Sequence, residues 1–200
     1  MCGDLAEQMT PCNCSSAAAC PEHIAGALHD LGIPVQKGYG MTETNGHQHG
    51  LPGDSRDRVT GTSGVCCAGY EIRIFDPDDP NRELPLGTSG LVGGKGGSLM
   101  LGYFNDPDAM AQSMNDTGWF LTGDLGALDK DGYLTLTGRR KDLIVRGGHN
   151  INPNLIEGLA LRLDAIDLAA AIPVPDDRLG ERACLAVMFE AGQSVTISKI

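Results

Sequence analysis

An aromatic ring, a hydroxyl and a carboxylate stand together in Gly38-Tyr39-Gly40-Met41-Thr42-Glu43. A tyrosine ring can stack on a nucleobase, a threonine hydroxyl can donate to a phosphate oxygen, and a glutamate can hold Mg²⁺. Further on, Gly123-Asp124-Leu125-Gly126 offers an acceptor-only carboxylate between glycines. Gly138-Arg139-Arg140-Lys141-Asp142-Leu143-Ile144 supplies a basic run, and Gly147-Gly148, Asn150-Ile151, Pro153 and Glu157 follow it. Singly, each has a plain structural explanation. Asp124 can cap a turn, and Arg139-Arg140-Lys141 can be a solvated charge run.

Five other patterns resemble sites but lack parts. Thr60-Gly61-Thr62-Ser63-Gly64 looks like a phosphate loop, yet no Pro-Lys follows it. Gly93-Gly94-Lys95-Gly96-Gly97 lacks the Ser/Thr after the lysine that a Walker loop needs. Both read as turns between strands. Asp129-Lys130-Asp131-Gly132 resembles the middle of a calcium loop, but Ala127 and Gly138 occupy the places of the first and last ligands. His47 and His49 could hold a metal, but no third ligand is visible and they read as a solvated loop. Cys12-Asn13-Cys14, without a partner at metal-site spacing, reads as a loop leading into a helix.

The elements that must position these residues show in the periodicity. Pro21 to Leu31 reads as a helix with Ile24, Ala27, Leu28 and Leu31 on one face, stopped by Gly32. Ile33-Pro34-Val35 reads as a strand running into Gly38. Residues 59–140 are β-rich, with strands at Tyr70–Phe75, Gly90–Met100 and Trp119–Thr122. Asp106 caps a short helix, and Asp129–Gly132 closes a hairpin. After Lys141 come a strand at Leu143–Val145 and a helix opened by Pro153 with Leu155, Ile156, Leu159 and Leu163 along one side. Strands at Leu168–Val174 and Ala183–Phe189 complete the pattern.

Composition narrows the function. The 200 residues carry a formal charge of −11, which opposes general nucleic-acid binding because phosphate neutralisation needs a basic surface. No apolar run reaches the roughly 20 residues that span a bilayer, and no signal peptide opens the chain. Seven irregularly spaced cysteines favour reduced thiols and a cytoplasmic setting over a disulfide framework. Glycine is abundant, 28 residues, and clustered where backbone must come close to something.

Taken in order, the motifs resemble the adenylate-forming superfamily: acyl- and aryl-CoA synthetases, peptide-synthetase adenylation domains and firefly luciferase. Ser98-Leu99-Met100-Leu101-Gly102-Tyr103-Phe104-Asn105-Asp106-Pro107 and Val174-Pro175-Asp176 with Arg178-Leu179-Gly180-Glu181 are most similar to acyl-CoA synthetases. The resemblance implies a mixed α+β fold. It comprises the tail of an α/β subdomain (residues 1–54), a distorted antiparallel β-barrel subdomain (55–140) and an incomplete small α+β C-terminal domain (141–200), with a hinge near 139–142. It implies an AMP-forming ligase that joins a small carboxylic acid to CoA at the expense of ATP. A peptide-synthetase adenylation domain and a non-catalytic fragment are the alternatives. Tyr39 would pack on adenine, Thr42 would bond the α-phosphate and Glu43 would position Mg²⁺. Asp124 would take the ribose hydroxyls, and Arg139 would contact the nucleotide. Lys141 matches the hinge, and Gly147 and Gly148 match a loop beside the CoA arm. ATP/AMP, Mg²⁺ and CoA are the implied cofactors.

The sequence also departs from the family pattern. The family's Ser/Thr/Gly-rich phosphate loop and its catalytic lysine have no counterpart in these residues, so the isolated chain is expected to be an inactive fragment. Ser15-Ser16 stands where Gly-Gly is usual, Cys66 and Ala68 where prolines are common, and Leu155 where a glutamate is usual.

Overall fold

A computed structural model of the protein describes residues 12–14, 20 and 22–194. The chain runs β1 (Cys12–Cys14), α1 (Glu22–Asp30), β2 (Val35–Met41), β3 (Asn45–His49), α2 (Arg56–Gly61), β4 (Val65–Cys66), β5 (Tyr70–Phe75), β6 (Gly90–Gly96) and α3 (Pro107–Gln112). It continues through β7 (Phe120–Leu128), β8 (Leu134–Arg139), a single 3₁₀ turn at Arg140–Asp142, β9 (Ile144–Arg146), β10 (His149–Ile151), α4 (Pro153–Ala160), β11 (Ile166–Asp176) and β12 (Gly180–Phe189). Two units divide between Leu136 and Thr137.

The first unit holds two sheets. One has the order β1-β2-β3-β4, with β1 parallel to β2 and the other pairs antiparallel. Cys12-Asn13-Cys14 is therefore a strand in register with Val35–Lys37, not a loop. The Ser15-Ser16 departure lies outside the described residues. Helix α1 buries Ala25 and Gly26 and packs Leu28 beside Val35 and Val59, while Ile24 and Ala27 are exposed. The expected face was wrong by part of a turn because α2 claims the other side. A Cβ on Gly26 would lie 2.6 Å from the Arg56 guanidinium. Close helix approach, rather than a broad apolar stripe, fixes this contact.

The second sheet has the order β5-β6-β7-β8. In β5, Tyr70, Ile72 and Ile74 point inward and Glu71 and Arg73 outward, the period-two pattern of a half-buried strand. Tyr70, Ile72 and Ile74 form a core with Val92, Leu128 and Leu134, against which Tyr39 and Cys66 pack. Among the described residues this sheet is open, with β5 and β8 at its edges, and no barrel closes. Closure needs every strand to have two neighbours, and the preceding strand, β4, pairs with β3 instead.

Gly93–Gly96 lie in β6, in line with the strand expected over Gly90–Met100 and against the reading of the Gly93–Gly97 run as a turn; β6 ends at Gly96, short of Met100. A Cβ on Gly93 would sit 2.4 Å from the Phe75 ring, and one on Gly94 2.3 Å from the Tyr70 hydroxyl. The glycine run exists because two large rings of β5 lie across it. Asp129–Gly132 does close the β7–β8 turn. There Arg58 of α2 pairs with Asp129 and, at 2.5 Å, with Asp131, while its guanidinium lies 3.9 Å from the Tyr133 ring centroid.

The second unit is a four-stranded antiparallel sheet of order β10-β9-β12-β11 with α4 against β11. Asn152 caps α4, accepting from Asn154 N–H at 3.0 Å, and its amide nitrogen donates to the Thr137 carbonyl. The Glu157 carboxylate accepts from Ala171 N–H at 2.9 Å on the outer edge of β11. Pro173 and Pro175 continue that side without an N–H, so the edge offers little to a further strand. Leu155 and Leu159 do not lie in the core as expected; they are exposed, and Pro153 and Ala160 are the buried positions of α4.

Candidate functional site

Two strand irregularities in the first unit build the site. Between β2 and β3 the register moves from Tyr39↔Gln48 to Gly40↔Gly46, leaving His47 as an extra residue in β3. Between β6 and β7 it moves from Leu91↔Leu125 to Gly93↔Leu121, so Thr122–Asp124 bulges out of the ladder. Gly123, at φ +78°, takes the left-handed conformation that the bulge requires. Bulges re-aim side chains, and here they bring together residues 85 apart in the chain. The Tyr39 hydroxyl donates to Asp124 Oδ2 at 2.5 Å. Asp124 is largely buried. Its backbone N–H donates to the Thr122 hydroxyl at 3.1 Å.

The β2–β3 connection displays Thr42 and Glu43. Gly40 admits the tight hairpin, since a Cβ there would lie 2.1 Å from the Asn45 carbonyl oxygen. Thr44 is fully buried and holds the turn from beneath, its hydroxyl accepting from Met41 N–H at 3.3 Å and donating to the Asn45 carbonyl at 3.2 Å. Asn45 has φ +59°. Thr42 is thereby exposed at the tip and Glu43 half-buried beside it. Glu43 Oε1 accepts from the Tyr103 hydroxyl at 3.0 Å. Among the described residues no group of three His, Cys, Asp or Glu side chains could hold a metal by itself. A single carboxylate next to a hydroxyl nevertheless fits Mg²⁺, which usually takes one or two protein carboxylates and completes its shell with water and substrate phosphates.

The periodicity gave no hint of His47's place. Expected in a solvated loop, it is fully buried in β3. Its ring stacks on Tyr70 (centroids 4.6 Å apart, planes 16° apart) and meets Tyr39 edge-on (4.8 Å, 79°). Neither ring nitrogen has a hydrogen-bond partner, and burial lowers its pKa to about 4. His47 therefore stands directly behind the tyrosine that touches Asp124. A bulge moves one residue to the opposite face, and no alternation rule shows that.

The remaining expected residues lie in or at the start of the second unit. Arg139 ends β8, and Lys141 sits in the 3₁₀ turn; both are exposed. Gly138 before them has φ +155°, where a Cβ would press on the Asn152 amide at 3.1 Å. Gly147 and Gly148 form the β9–β10 turn with φ of +58° and +82°. Gly147 N–H donates to the Leu179 carbonyl at 2.8 Å, and a Cβ on Gly148 would meet nothing within 4 Å. Val145 N–H donates to Glu181 at 2.6 Å, tying this turn to β12. The structure thus joins Tyr39 to Asp124 and places Thr42 and Glu43 at the end of the same strand.

Fold and ordered motifs together place the chain in the adenylate-forming superfamily. The AMP-binding enzyme family matches residues 5–104, and the chain belongs to that family. It is 36% identical over 171 residues to the medium-chain fatty-acid–CoA ligase of Escherichia coli K12, covering 86% of this chain and 30% of that one. It is 37% identical over 183 residues to the sulfoacetate–CoA ligase of Cupriavidus necator, covering 91% and 35%. The crystal structure of ATP-bound MatB from Rhodopseudomonas palustris superposes with a TM-score of 0.76 at 36% identity, covering 82% of this chain and 32% of that one. The chain spans about a third of the length of these curated relatives. Among the described residues no helix is long and apolar enough to cross a membrane.

Proposed function

We propose that this chain carries the nucleotide-binding elements of an AMP-forming acyl-CoA ligase. In that reaction a carboxylate oxygen attacks the α-phosphorus of ATP and the bond to pyrophosphate breaks. The CoA sulfur then attacks the acyl carbonyl, the acyl–phosphate bond breaks, AMP leaves and the thiol proton passes to solvent. The observation that carries the reading is the Tyr39–Asp124 contact at 2.5 Å, made by two bulged strands beside the Thr42–Glu43 turn. CoA as the thiol is supported by the relatives, which are named CoA ligases.

In this reading the Tyr39 ring packs on adenine while its hydroxyl holds the Asp124 carboxylate against the ribose hydroxyls. A carboxylate is suited to that task because it only accepts, and two adjacent hydroxyls only need to donate. Thr42, exposed at the hairpin tip, donates to the α-phosphate. Glu43 holds Mg²⁺, which supplies positive charge against that developing on the phosphates. Arg139 contacts the nucleotide. Lys141, in a short turn between strands, is the hinge position. Hinges are a few loop or element-terminal residues that absorb a backbone change. The bare backbone at Gly147-Gly148 leaves room for the pantetheine arm.

Calorimetric titration of the chain with AMP tests the reading. The parent binds, and Asp124→Ala binds at least about tenfold more weakly, since each hydrogen bond to a charged group contributes about 1.5–3 kcal/mol. Equal affinity in both places the nucleotide elsewhere.

A further inference from the structure

The Thr42–Glu43 turn is held by a segment more than fifty residues away. Three hydrogen bonds cross between them. The Ser98 hydroxyl donates to the Thr44 carbonyl at 2.8 Å, Met100 N–H donates to the Glu43 carbonyl at 2.7 Å, and the Tyr103 hydroxyl donates to Glu43 Oε1 at 3.0 Å. The first two fix the backbone of the turn. The third fixes its side chain.

Burial holds this segment only in part, through the half-buried Leu99 and Met100. Leu101 and, just past Tyr103, Phe104 are almost wholly exposed, at 106% and 93%. Gly102 (φ +151°) and Asn105 (φ +54°) bracket Tyr103 with backbone conformations that L side chains rarely adopt. The chain thus turns Leu101 and Phe104 outward and Tyr103 onto one carboxylate oxygen. A glutamate at a hairpin tip otherwise samples several rotamers, and each must be given up when it binds a cation. A phenol bonded to Oε1 removes that freedom beforehand and leaves Oε2 for the ligand. Side chains that hold a metal ligand in orientation change its affinity without touching the metal.

We propose that Tyr103 is a positioning residue for Glu43, and that Ser98–Tyr103 is a brace presetting this carboxylate for a magnesium–nucleotide. The proposal rests on the nucleotide-site reading above. It assigns Tyr103 a role in metal-dependent binding and none in contacting the adenosine.

The test is calorimetry on the full 200-residue chain with two probes: ATP with Mg²⁺, and AMP in chelator. The variants are Tyr103→Phe, Glu43→Gln and the double substitution. The expected result is that Tyr103→Phe weakens ATP–Mg²⁺ binding threefold or more and leaves metal-free AMP binding within twofold of the parent. Glu43→Gln shows the same selectivity, and adding Tyr103→Phe to it has no further effect, because the two act through one carboxylate. Unchanged ATP–Mg²⁺ binding in Tyr103→Phe overturns the role of Tyr103 while leaving the site reading intact. Equal weakening of both probes makes Tyr103 merely structural and also overturns it. Absence of any nucleotide binding by the parent overturns the site reading, and this proposal with it.

Discussion

His47 makes the stability of the first unit depend on pH in a way that one substitution should abolish. The imidazole is fully buried, stacked on Tyr70, edge-on to Tyr39 and without a hydrogen-bond partner. Burial lowers its pKa from 6.5 to about 4. The unfolded chain therefore binds a proton at mildly acidic pH that the native state refuses. The stability tied to the neutral ring is fully present above pH 6.5 and drains away as pH falls toward 4. Across the whole window the loss is about 3 kcal/mol, and between pH 7.5 and 5.0 it is about 2 kcal/mol. His47→Phe keeps a ring against Tyr70 and removes the titration. Urea unfolding of parent and variant, followed by the fluorescence of the single tryptophan, Trp119, reads this unit because Trp119 is buried within it. The difference in stability between pH 7.5 and 5.0 should be about 2 kcal/mol larger in the parent than in His47→Phe. Identical pH dependence in the two proteins refutes the reasoning and means that the imidazole is solvated or partnered.

Other outcomes follow from the same structure. Gly93→Ala places a Cβ 2.4 Å from the Phe75 ring; overpacking of this kind costs about 1–3 kcal/mol, and a urea midpoint equal to the parent's contradicts it. Brief trypsin treatment should cut first at the exposed Arg139-Arg140-Lys141 triplet, before Arg73 and Arg82, which are paired to Glu83 and Asp76. Mass spectrometry of the earliest products decides this, and first cuts at Arg73 or Arg82 count against a hinge. Tyr39→Phe removes the hydroxyl that reaches Asp124 and should weaken AMP binding by less than Asp124→Ala does. The reverse order in calorimetry means that the hydroxyl contributes more to recognition than holding the carboxylate, and contradicts the role given to Asp124.

The parts of this molecule that could be read from sequence were those written in local chemistry. Tyr70–Phe75 alternates, so its strand and inward face were evident; Asp106-Pro107 starts a helix because a side-chain cap and a fixed φ favour one. The residues of the candidate site were visible as types in order. Their junction was not, because it depends on two bulges, and a bulge leaves no periodic trace. His47 was missed for that reason. The glycines of β6 were ambiguous in another way, reading both as part of a strand over Gly90–Met100 and as a turn at Gly93–Gly97. A glycine run suggests a turn until the rings of Tyr70 and Phe75 are seen lying over it. Faces of short helices were the least legible. In α1 and α4 small residues, Ala25, Gly26 and Ala160, are the buried ones, while Ile24, Leu155 and Leu159 face out.

If Tyr39, Thr42, Glu43 and Asp124 form one nucleotide site, AMP must perturb both of the segments that carry them. Titrating the ¹⁵N-labelled chain with AMP and following assigned amide resonances tests it most directly. Saturable shifts should cluster at Gly38–Glu43 and Thr122–Gly126, two segments far apart in the chain and joined in space by the Tyr39–Asp124 contact. Shifts confined to other surfaces, or a spectrum unmoved at millimolar AMP, would contradict it.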